Sequence, residues 1–253
     1  MFPIRDENPT LRMPIATYVI IGMNIVVWAV VQGFGTDPAL AKSFCQYALV
    51  PGDLLNSVSA GTLFPVSETL ACRITADQPV ASLFSSMFMH GSWMHIAGNM
   101  LFLWVFGDNV EDIMGPLRFA LFYVLCGLAA AFAQIITDPA STIPMVGASG
   151  AIGGVMGAYA ISFPRARVHL LIILVVYVTT ISVPAVLMLG YWFLLQLVAG
   201  VSSFGGSGGG VAFWAHIGGF AAGLALVFTF RRADLISARK KLTDRRSAKH
   251  QWF

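Results

Sequence analysis

The stretch MVGASGAIGGVMGAY at 145–159 holds a single serine, Ser149, among glycines and apolar side chains. A serine hydroxyl is a weak nucleophile until a base within hydrogen-bond reach takes its proton, and an imidazole is a suitable base. WAHIGGFAAG, near the C-terminal end of the chain, supplies one in His216. HGSWMHIAGN at 90–99 supplies His90, His95 and Asn99; His95 and Asn99 are spaced i, i+4, which puts them on one face of a helix. Both can donate a hydrogen bond to a developing oxyanion. Ser149 follows Pro144 closely, so its own N–H falls near a helix start, where the first amides lack intrahelical acceptors and carry the positive end of the dipole. Nucleophile, base and oxyanion donors suit acyl transfer. Each also has a structural explanation. Serine among glycines packs helices together, as the small-xxx-small pairs Gly150/Gly154, Gly153/Gly157 and Gly219/Gly223 do, and a histidine near a helix end serves structure.

What must position these groups is a membrane bundle. The 253 residues are 57% hydrophobic and 11% charged, outside the usual soluble range. A span takes about 20 mostly apolar residues. Six stretches qualify: 14–33, 90–107, 117–136, 145–163, 184–204 and 211–230. With both termini inside, 13 of the 15 basic residues fall on the inner side, and only Lys42 and Arg73 lie outside, in the loop 34–89. The expectation is an all-α, six-span bundle, N-in and C-in, with an inner segment 1–13, a membrane domain 14–230 and a basic tail 231–253. The first apolar stretch ends in QGFGTD rather than a small-residue cleavage site and reads as an uncleaved span.

Depth favours the chemical reading. Ser149 is 16 residues from Arg165, His216 is 15 from Arg231, and His95 is 13 from Asp108. At helical rise these are about 24, 22 and 20 Å above the inner boundary. Three helices therefore bring their polar groups to one level, somewhat below the outer surface. The spans hold no deep carboxylate to orient His216, so a Ser-His dyad is expected rather than a triad. HExxH is absent, paired intramembrane aspartates are absent, and Ala151 breaks the soluble-hydrolase GxSxG pattern. No metal, cofactor or nucleic-acid partner is expected.

The loop 34–89 is apolar in ALVPGDLL and GTLFP, and it either rests on the outer membrane surface or is simply exposed. Its Cys45 and Cys72 either form a disulfide, since an outward compartment permits one, or remain free thiols; Cys126 stands alone in the third span. VHLLIILVVYVTTISV, at 168–183, is too short to be a separate span and is expected to lie on the inner face. SSFGGSGGG is either a linker or a mobile cap over the site. The tail, with eight basic and two acidic residues, serves as a topology anchor or contacts anionic membrane lipids.

HGSWMHIAGN, GASG at 147–150 and AHIGGFAAG at 215–223, in this order and on these helices, resemble the rhomboid family of intramembrane serine proteases over about residues 14–230. The resemblance implies that Ser149 is the nucleophile and His216 its base, and that His95, Asn99 and the Ser149 N–H line the oxyanion hole. His90, Gly147, Gly150, Gly153 and Gly219 would be structural residues near the site, and Glu111 would steady inner-side packing. Substrates would be transmembrane proteins cut near the outer end of their span, reached past the fifth helix. The expected location is a multi-pass position in a bacterial inner (plasma) membrane. Where many members have an aromatic ring four residues after the serine, this chain has Gly153, so another group must hold His216. The Trp-Arg pair of some members' first loop is also missing. Inactive relatives act as membrane-protein chaperones or adaptors, which makes a binding module the alternative; they typically lack the serine or the histidine. A proton-coupled transporter is a weaker third reading, because the spans offer the histidines no acidic partner.

Overall fold

The computed structural model describes residues 2–67, 70–75, 80–174, 177–203 and 211–250. The glycine run 205–210, read above as linker or cap, lies outside these residues. A helix stands at each apolar stretch. The short strand β1 (Phe2–Asp6) precedes α1 (Ile15–Val26), which continues as a π-turn over Val27–Val31. The loop that follows holds α2 (Ala39–Tyr47), the single turn α3 (Pro51–Leu54), the strand pair β2 (Leu63–Pro65) and β3 (Ala71–Arg73), and the turn α4 (Ser82–Ser85). Then come α5 (Trp93–Met114), α6 (Pro116–Thr137) and α7 (Ser149–Ser162). The strands β4 (Arg167–Leu174) and β5 (Tyr177–Pro184) lead into α8 (Ala185–Ser203), α9 (Phe213–Phe230) and the tail helix α10 (Ala233–His250).

The fold is mostly helical, with two small sheets that the all-α expectation does not include. The stretch 168–183, expected on the inner face, lies in a β-hairpin: β4 and β5 pair antiparallel from Arg167↔Pro184 to Leu174↔Tyr177, and β1 adds to the free edge of β4. Its run of Val, Ile and Thr suits a pleated surface better than a helix. By length and composition, α6, α8 and α9 are long and apolar enough to cross a membrane. The 22-residue α5 carries Asp108, Glu111 and Asp112 in its last two turns, and α7 has 14 residues.

Two boundaries bear on the site. The fourth helix begins at Ser149, not at 145, because Gly147 has φ +130° and Met145 pairs with Leu49 in a bridge. The second begins after Ser92, whose hydroxyl accepts from the His95 N–H as an N-cap, so His90 lies in the loop before the helix.

The first loop is a folded lobe. Val50, Phe64, Cys72 and Ile74 form its core, Cys45 and Cys72 are joined by a disulfide with Cα atoms 5.3 Å apart, and Leu49 packs on Ala131 and Ile135 of α6. On the opposite side, Glu111 of α5 accepts from the Ala16 and Thr17 N–H groups and the Thr17 hydroxyl. A carboxylate thus satisfies the otherwise open amides of the first turn of α1 and faces the positive end of its dipole.

Candidate active site

The site is set by how closely α7 and α9 approach. A methyl group on Gly219 would stand 1.9 Å from the Gly150 carbonyl oxygen, and one on Gly223 would stand 1.9 Å from that of Gly154. On the other side of α9, Gly218 faces Ala133 of α6 at a distance that leaves no room for a side chain. The small residues that read as packing pairs bring backbone against backbone, and this contact carries the first residue of α7 to the first turn of α9.

There the Ser149 Oγ lies 2.8 Å from His216 Nε2. His216 Nδ1 lies 2.7 Å from the amide oxygen of Gln196 on α8. Trp192, one turn earlier on α8, lies with its ring centroid 5.8 Å from the imidazole at 39°. Gly153 faces the α9 backbone: a Cβ there would lie 3.1 Å from the His216 carbonyl oxygen and 3.4 Å from the Phe220 nitrogen. A side chain at this position would thus start tight against the α9 backbone, and α8 holds the imidazole instead.

The other sequence-picked residues fall around this pair. Ser149, His216, His95 and Asn99 share a cleft of about 900 Å³ with Met94, Gln134 and Trp192. His95 Nδ1 accepts from the Gly91 N–H at 3.2 Å, which leaves Nε2 facing Gly147, where a Cβ would lie 2.8 Å away. Only glycine, at that positive φ and with no side chain, lets the loop pass this ring. Asn99 is buried, and among the described residues its Nδ2 has no acceptor. Gly150 abuts Ala130 of α6, and His90 is fully buried with its ring 5.1 Å from that of His95, edge to face.

Three residues of this arrangement were not picked from the sequence. Gln32 clasps the His90 backbone in both directions, accepting from its N–H and donating to its carbonyl, each at 2.8 Å. Gln196 and Trp192 belong to YWFLLQLVAG, where a lone glutamine amid apolar residues was itself a signal, since an intramembrane amide needs a partner.

The chain is similar to known proteins along much of its length. The family model described as Rhomboid domain matches residues 77–233. Rhomboid protein 1, mitochondrial, of Saccharomyces cerevisiae is 27% identical over 242 residues, covering 93% of this chain and 58% of that protein. The rhomboid protease GluP of Bacillus subtilis is 33% identical over 145 residues, 57% of this chain and 25% of GluP. The mouse presenilin-associated rhomboid-like protein, mitochondrial, is 32% identical over 139 residues, 54% of this chain and 34% of that protein. These matches span between a quarter and three fifths of the relatives' lengths. The chain belongs to the rhomboid family, and its Rhomboid domain and apolar helices make it an integral membrane protein.

Proposed function

We propose that this chain is an intramembrane serine endopeptidase that cuts transmembrane proteins near the outer membrane face. The observation that carries the reading is the 2.8 Å approach of the Ser149 Oγ to His216 Nε2. The likeness to a relative named as a protease supports it. In this reading the six helices α1, α5, α6, α7, α8 and α9 span the membrane with both termini inside, which the distribution of basic residues supports.

His216 Nε2 takes the hydroxyl proton as the Ser149 Oγ attacks a peptide carbonyl carbon. Negative charge develops on the carbonyl oxygen, where His95 Nε2, Asn99 Nδ2 and the Ser149 N–H are the available donors. Collapse of this intermediate breaks the C–N bond; His216 gives its proton to the leaving amine, and an acyl-serine remains. Water, deprotonated by His216, then attacks the ester carbonyl; the acyl C–Oγ bond breaks, His216 returns the proton to Oγ, and the new C-terminal carboxyl group leaves. The partners are transmembrane protein substrates and the surrounding lipid. Two of the relatives compared above are named mitochondrial, which leaves the expected bacterial plasma membrane without support.

Reconstituted protein should cleave a transmembrane reporter, and a fluorophosphonate should label it covalently. Ser149→Ala and His216→Ala should each abolish both while unfolding at the wild-type temperature. Cleavage by Ser149→Ala at the wild-type rate would refute the reading.

A further inference from the structure

We propose that Gln196 is a positioning residue that holds His216 in the tautomer a general base needs, so that the catalytic unit is a Ser149–His216–Gln196 relay completed by α8. This rests on the protease reading above and deepens it.

The imidazole has two nitrogens, and the hydrogen bond made by one decides what the other can do. His216 Nε2 faces the serine at 2.8 Å and Nδ1 faces the Gln196 amide oxygen at 2.7 Å. A carbonyl oxygen only accepts, so Nδ1 carries the proton and Nε2 presents its lone pair to the hydroxyl. The reversed amide would donate to Nδ1, move the ring proton to Nε2 and leave the serine without a base.

The surroundings favour this role. Among the described residues no carboxylate is hydrogen-bonded to His216, and Gly153 provides no ring to stack on it. Among the described residues, α8 supplies two side chains against the imidazole: Gln196 at Nδ1 and Trp192 against the ring. α8 itself is held to α9 through Phe193, whose ring stacks on Phe220 with centroids 4.7 Å apart, while Leu187, Tyr191, Leu194 and Val198 face outward. As the serine is deprotonated the ring becomes imidazolium, and the Nδ1–H···O bond becomes charge-assisted, which strengthens it in the transition state.

The test measures kcat, KM and the rate of fluorophosphonate labelling on the full chain in proteoliposomes. Gln196→Leu should lower kcat and the labelling rate by about 10- to 100-fold, the usual worth of a hydrogen bond to a charged group, with KM unchanged. Gln196→Glu restores an acceptor and should recover most of that loss. Gln196→Met, of matched length, repeats the comparison if the leucine variant does not fold. An equal fall in the acceptor-free and glutamate variants would mark a packing role and overturn the proposal. Wild-type kinetics in Gln196→Leu beside a dead Ser149→Ala would overturn it and leave the protease reading intact, whereas an active Ser149→Ala would fell that reading itself. Nitrogen-15 spectra of wild-type protein, with His216 assigned by loss of its signals in His216→Asn, need no Gln196 variant: Nδ1 should be the protonated nitrogen, and a proton on Nε2 overturns the proposal.

Discussion

Asn99 is the sharpest test of chemistry at the scale of single residues. It is buried in the wall of the cleft, one turn from His95, and its amide nitrogen has no acceptor among the described residues. A buried donor held without a partner costs free energy, which is repaid if an oxyanion arrives there. Loss of one such donor typically costs about 2.7–4 kcal/mol of transition-state stabilisation. Asn99→Ala should therefore cleave a reporter about 100- to 1000-fold more slowly at saturating substrate, and an unchanged kcat would remove Asn99 from the proposed hole. Gly153 gives the opposite kind of prediction. If the site merely lacked a ring, Gly153→Tyr would supply one and leave activity equal or higher. Because a Cβ there meets the α9 backbone, the tyrosine should instead force α7 and α9 apart, lowering stability by about 1–3 kcal/mol, as overpacking does. Thermal unfolding and labelling rate should fall together. Ser149, His216, His95 and Asn99 were legible in the sequence because polar groups are rare in apolar spans and their depths could be counted from the charged boundaries. Gln196 was passed over although the same rule applies to it, and its role was not legible: the partner of its amide lies 20 residues away on another helix.

Elements divide by how locally they are determined. Six apolar stretches are readable one window at a time, and each became a helix. Ends were misjudged where backbone chemistry overrides hydropathy: Gly147 at positive φ delays α7 to Ser149, and the Ser92 cap delays α5 to Trp93. The hairpin β4–β5 was missed because a short, uniformly apolar run cannot be assigned to strand or helix by periodicity alone; it is stabilised by pairing, including that with β1 from the far end of the sequence. The first loop belongs here too, since its lobe depends on contacts across 27 residues. The cross-link between Cys45 and Cys72 should restrict the unfolded loop by about 3–4 kcal/mol in the chain-entropy model. Alkylation of non-reduced, denatured protein should modify Cys126 alone, and three modified cysteines would contradict the bridge. A Cys45→Ser/Cys72→Ser variant should lose order in the lobe, read as faster proteolysis within 34–89, before the helical bundle unfolds.

At the scale of the whole molecule, residues of the N-terminal segment and of α10 close the end of the bundle where α5 terminates. Arg239 of α10, expected on a solvated tail, is buried: it donates to Asp112 at 2.6 Å, to Asn109 at 2.5 Å, and to Asn8 and the Pro9 carbonyl in the N-terminal segment. It also lies 4.8 Å over the Phe163 ring at the end of α7. The Leu11 and Arg12 N–H groups donate to the same Asp112. Beside this clasp, Asp6 at the end of β1 accepts from the Tyr159 hydroxyl and from Asn109 Nδ2. Burial is the main reason its carboxyl is pushed up to about 6; Asp108 nearby adds to the rise, while the Tyr159 hydrogen bond and Arg239 oppose it. A carboxyl raised in the folded state binds its proton more tightly there than in the unfolded chain, so folding gains from protonation at low pH. That gain is full below the ordinary value of 3.8 and is lost as pH rises towards about 6. The thermal midpoint in detergent should therefore carry a component that falls between about pH 4 and pH 6, opposite in sign to that of an ion-paired carboxylate. Asp6→Asn, which cannot ionise, should lose that component and keep the high-pH stability of wild type or exceed it. If the two proteins show the same slope across this window, Asp6 does not govern the closure of this end of the bundle.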